Sequence, residues 1–68
     1  MNWNKGDKIV CTCNGISCPR FFTVMRVSVA ENEVFAEDEA GNPDHFSIDY
    51  EYLISRELYD SPLYKALR

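Results

Sequence analysis

The chain has 68 residues, of which 46% are hydrophobic and 13% aromatic, enough for one small core and well beyond what a disordered chain carries. A net charge of −4 makes nucleic acid a poor default partner, and no apolar run reaches the length of a membrane span. The polar opening MNWNKGDK does not read as a signal peptide, and three cysteines argue against a secreted disulfide framework, so the sequence predicts a cytoplasmic protein.

In chain order, Gly6-Asp7 reads as a turn into a first strand over residues 8–13. Asn14-Gly15 and Cys18-Pro19 mark a loop. Residues 21–29, rich in β-branched and aromatic side chains, predict a second strand. Strand alternation there sends one of Phe21 and Phe22 inward and the other outward, and likewise splits Val24 from Met25. After a polar turn, residues 33–38 form a third strand, and residues 39–43 a turn whose Gly41 suits a positive φ. Residues 44–48 predict a fourth strand, Phe46 and Ile48 alternating with His45 and Ser47.

Residues 49–52 break this alternation and read as one helical turn, with a last strand over residues 53–58. Ser61 can then cap a short helix, and Pro62 suits its first position. Leu63 and Leu67 share a face of that helix, with Lys65 and Arg68 at its favourable end. Such a short helix is unstable alone, so the tail is expected to pack back on the domain, or to complete a partner site, through Leu63, Tyr64 and Leu67. The fold expected is all-β, a small five-stranded barrel over residues 1–58 with a helical turn before its last strand and a helical tail over residues 59–68.

This order of elements resembles the SH3-like barrel. The stretches KGDKIVC (residues 5–11), FTVMRVSV (residues 22–29) and AEDEAGN (residues 36–42) are similar to the opening turn and strand, the second strand and the acidic turn of short phage and prophage proteins of that fold. The similarity covers residues 5–54. Met25-Arg26 stands where those proteins often have Gly-Lys. The resemblance implies a fold and a viral setting, with a host cytoplasm as location, and implies no activity.

The cysteines pose the main chemical question. Cys11, Cys13, Cys18 and His45 could be combined as a Cys3His zinc set, but C-x-C on a strand is expected to send its thiols to opposite faces, against the usual knuckle spacing. Cys11 fits better as a small apolar residue beside Ile9, and Cys13 and Cys18 flank a loop tight enough to let them approach. Catalysis by either would need His45, the one histidine, as base, with no third group to orient it. No enzyme activity and no cofactor is expected.

Charge is segregated along the chain. Lys5, Lys8, Arg20 and Arg26 against Asp7 leave residues 1–30 at +3. Glu31, Glu33, Glu37, Asp38, Glu39, Asp44, Asp49 and Glu51, with no Lys or Arg among them, leave residues 31–51 at −8. The carboxylates lack the ordered spacing of a calcium loop. They suit a contact face for a host protein with a basic surface, with little role in stability. Aromatics exceed what so small a core can enclose and are frequent at binding hot spots. The expected partner-binding residues are Glu37, Asp38, Glu39, Asp44, Phe22, Tyr50, Tyr52 and Tyr64, in a non-enzymatic protein-binding module that modulates or inhibits its target. Two other readings remain open: a KOW-type nucleic-acid-binding barrel using Lys5, Lys8, Arg20 and Arg26 with Trp3, Phe21 and Phe22, and a structural virion component that forms homo-oligomers through a strand edge.

Overall fold

A computed structural model describes residues 3–67. Five strands, β1 (Lys8–Cys11), β2 (Arg20–Ser28), β3 (Glu33–Asp38), β4 (Pro43–Ser47) and β5 (Leu53–Ser55), are followed by two four-residue helices, α1 (Arg56–Tyr59) and α2 (Pro62–Lys65). All pairings are antiparallel, in the order β4-β3-β2-β1-β5. Among the described residues β4 and β5 do not pair with each other, so the sheet is open at both edges.

The register of β3 against β4 fixes what each face carries. Val34 lies opposite Phe46 and Ala36 opposite Asp44 on one face; Glu33, Phe35 and Glu37 lie opposite Ser47, His45 and Pro43 on the other. In β1, by contrast, Ile9, Val10 and Cys11 are all buried, because both faces of the sheet are covered there. One cluster joins Trp3, Ile9, Cys11, Phe22, Val24, Val34, Ala36 and Leu53. The second, on the opposite face, joins Val10, Ile54 and Tyr59, with Ile16, Phe21, Leu58 and Tyr64 packed against it. Each fully buried Ile or Val contributes about 1.5–3 kcal/mol.

The register of β2 against β3 shifts between Val24 and Arg26, and Met25 at this irregularity is 41% exposed. The bulge bends the long β2, whose residues 20–23 pair with β1 and whose residues 22–28 pair with β3. Arg26 lays its guanidinium 4.0 Å from the centroid of Phe35, covering that ring on the outer face.

Three expectations about the chain's second half are corrected. Residues 49–52 form no helical turn; two successive tight turns close instead, with Tyr50 N–H donating to the Ser47 carbonyl and Leu53 N–H to the Tyr50 carbonyl. The last strand stops at Ser55, because the Ser55 hydroxyl accepts from Leu58 N–H and caps α1, with Glu57 in its first turn. Tyr59, assigned to the head of the tail, is buried in the second cluster. The cap at Ser61 and proline at the start of α2 are as expected. Of Leu63, Tyr64 and Leu67, however, only Tyr64 packs inward; Leu63 and Leu67 are 68% and 62% exposed.

Candidate interaction surface

The eight expected contact residues do not form one patch. Phe22 is corrected first. It is 3% exposed and belongs to the core, while Phe21, its neighbour, faces the second cluster, edge-on to Tyr59 and under the Arg56 guanidinium at 4.3 Å. Neither phenylalanine of the pair is free on the surface, since α1 covers the face on which Phe21 points outward.

Glu37, Asp38 and Glu39 lie at the tip of the β3–β4 hairpin. Asp38 is occupied there: its carboxylate accepts from Ala40 N–H at 2.9 Å, Asn42 N–H at 2.8 Å and the Asn42 amide at 3.3 Å. The Asn42 backbone bond first, with its side chain and the Ala40 backbone, holds the Asp38 carboxyl below its ordinary value. This contradicts an acidic stretch without structural work. Gly41, at φ 86, completes the turn in the left-handed region. Asp38 and Glu39 share a surface depression with Lys8, Thr23 and Arg56, so the tip has cations beside it. Asp44 is paired as well, 3.8 Å from Arg20, whose guanidinium sits 5.1 Å from the Phe22 ring centroid.

The tyrosines occupy the other end of β4, four residues of strand, or roughly 13 Å, from the tip. Phe46 meets Phe22 edge-on at 5.1 Å, stacks on Tyr50 at 6.1 Å, and Tyr50 meets Tyr52 edge-on at 5.6 Å. This aromatic row runs from the core to the surface, where Tyr52 is 45% exposed. Exposed Asp49 and Glu51 flank it in sequence, and Asp49 accepts from the Asn32 amide at 3.4 Å. Tyr50 also lines a groove of about 410 Å³ together with Trp3, Leu58 and Tyr64. The groove joins Tyr64 to the tyrosine end.

A feature hidden in the sequence lies beside Tyr50. Strand β1 ends at Cys11, where its pairing with β2 stops, and Thr12 keeps to the β5 side, both its N–H and its hydroxyl donating to the Tyr52 carbonyl, at 2.8 and 3.2 Å. Cys13 lies in the turn that follows, closed by Gly15 N–H donating to the Thr12 carbonyl, and does not continue the strand alternation. Its sulfur lies 2.8 Å from that of Cys11, which corrects the expectation of thiols on opposite faces. Burial, then the hydrogen bond to Cys13, pushes the Cys11 thiol up. Desolvation first, then the two thiols, raises the Tyr50 hydroxyl, which hydrogen-bonds to Cys13. A cavity of about 370 Å³ brings Cys11, Cys13 and Tyr50 together with Glu33, His45, Phe46 and Ser47. His45 is exposed, its Nδ1 3.6 Å from a Glu33 oxygen. Glu33 and His45 meet because both stand on the outward parity of β3 and β4, a signal readable once the hairpin register is known. Among the described residues no three His, Cys, Asp or Glu side chains converge to hold a metal ion, and no helix is long and apolar enough to cross a membrane.

Fold and surface together define a small, mostly β protein: an open five-stranded antiparallel sheet, helices on one face, and an aromatic and acidic end. The chain matches no family model, no curated protein and no solved structure.

Proposed function

We infer that this is a non-enzymatic protein-binding module that meets a partner protein of basic surface through its tyrosine end. The observation that carries the reading is the row Phe46–Tyr50–Tyr52, anchored in the core and emerging between Asp49 and Glu51. A rigidly backed aromatic with carboxylates around it combines an apolar anchor with charge selection. The carboxylates at the hairpin tip are secondary, since Asp38 holds its own turn and cations lie beside it. The four-strand meander β1–β4, with a bent β2 and β5 returning beside β1, supports an SH3-like arrangement, and with the sequence resemblance it supports a phage-encoded modulator of a host protein. The nucleic-acid reading loses its stacking platform, because Trp3 and Phe22 are buried and Phe21 lies under Arg56.

Affinity capture of the tagged chain from nuclease-treated bacterial lysate tests this reading. A protein partner that is lost with Tyr52→Ala and with Asp49→Lys/Glu51→Lys, but kept with Glu39→Lys, is the expected result. Recovery of nucleic acid alone, or indifference to the tyrosine-end variants, rejects it.

A further inference from the structure

We propose that Cys11 and Cys13 form a reversible redox site, closing to an intramolecular disulfide by exchange with a low-molecular-weight disulfide of the glutathione type. Three observations carry this, and none depends on the partner-binding reading. The sulfurs are already 2.8 Å apart. Thr12 between them is pinned to the Tyr52 carbonyl through both N–H and hydroxyl, and its own carbonyl accepts from Gly15 N–H at 2.9 Å, so the backbone that brings the thiols together is held by hydrogen bonds. The pair opens on a cavity of about 370 Å³, which gives a small disulfide access. A tetrahedral ion about 2.3 Å from each sulfur would hold the two roughly 3.8 Å apart, so the arrangement suits S–S bonding better than bracketing a metal.

Exposure sets the order of events. Cys13 is exposed and Cys11 buried, so Cys13 attacks first. As a thiolate it displaces one thiolate from the small disulfide; that S–S bond breaks and a mixed disulfide forms on Cys13. Cys11 then gives up its proton and attacks the Cys13 sulfur, and the second thiolate leaves. The protons lost by Cys11 and Cys13 end on the two departing thiolates. The protein dithiol is oxidised by two electrons, and the small disulfide is reduced to two thiols.

The test uses the full chain carrying Cys18→Ser, an exposed position whose replacement leaves the core intact. Folded protein is equilibrated with a series of reduced-to-oxidised glutathione ratios, acid-quenched, alkylated and peptide-mapped. The expected result is a concerted loss of both alkylatable thiols with a linked Cys11–Cys13 fragment, and accumulation of the mixed disulfide on Cys13 when Cys11→Ala is added. Two thiols that stay alkylatable across the whole series overturn the proposal. So does a stable mixed disulfide on Cys13 with Cys11 still free, or a bond between two chains. Should the Cys11→Ala chain fail to fold, the Cys18→Ser titration decides the matter by itself.

Discussion

The Tyr59 hydroxyl donates to the Ile16 carbonyl at 3.2 Å, across 43 positions of sequence. With the ring edge-on to Phe21 at 5.9 Å, this bond ties α1 to the loop that leaves β1. Tyr59→Phe keeps the ring and is expected to cost about 1 kcal/mol. Tyr59→Ala also empties the second cluster and is expected to cost about 3–5 kcal/mol. Urea denaturation distinguishes the two, and equal costs would mean that the ring contributes nothing to packing.

Asp38 is expected to matter to stability where its acidic neighbour does not. Asp38→Ala removes the acceptor for three donors of the hairpin tip and lowers the melting temperature; Glu39→Gln, at an exposed position, leaves it unchanged or raises it. Because the Asp38 carboxyl is held below its ordinary 3.8, its contribution is complete above that pH and is lost as pH falls through the depressed value. Thermal melts of wild type and Asp38→Asn between neutral and strongly acidic pH check this: the gap between the two is expected to close in acid.

Single substitutions in the tail are expected to divide. Leu63→Ala and Leu67→Ala, both at exposed positions, fall within about 0.5 kcal/mol of wild type. Tyr64→Ala, whose ring packs on the Val10, Ile54 and Tyr59 cluster, costs about 1–2 kcal/mol through lost burial. A cost at either leucine as large as that at Tyr64 would show that the whole helix docks.

Cys11→Ala is expected to cost on the order of 1 kcal/mol through lost core volume, and a chelator is expected to leave the wild-type melt unchanged. The buried thiol has its pKa raised above 9.0, so its neutral form is the one the fold favours. That contribution is complete at neutral pH and declines as pH rises through the elevated value. The alkaline loss of stability is therefore expected to be shallower in Cys11→Ala, with Tyr50 supplying part of what remains. Parallel melts at neutral and alkaline pH measure the difference.

The elements governed by local chemistry were legible in the sequence. The polar turns on either side place β3 at its observed bounds of Glu33–Asp38, and Ser61-Pro62 marks the start of α2. The last strand ends at Ser55 instead of Leu58 because that serine caps α1, with Glu57 in the first turn. The site was less legible for a physical reason. Which of Phe21 and Phe22 is reachable depends on α1 covering the second face, and the meeting of Cys11 with Cys13 depends on β1 ending at Cys11 with Thr12 held by the Tyr52 carbonyl forty residues away. Both are tertiary facts that local periodicity does not encode.

The displaced register at Met25 bears on how the molecule comes apart. Among the described residues, the hydrogen-bonded order of the sheet joins β1 and β5 to β3 and β4 through β2 alone. An edge strand can detach while the rest stays paired, whereas loss of β2 dissolves both clusters together. Amide protons in β2 and the middle of β1 are therefore expected to exchange through whole-chain opening, and those at the outer margins of β4 and β5 through brief local excursions. The tyrosine end and the thiol pair both adjoin β5, so the chemistry proposed for the molecule sits beside one of its two open edges.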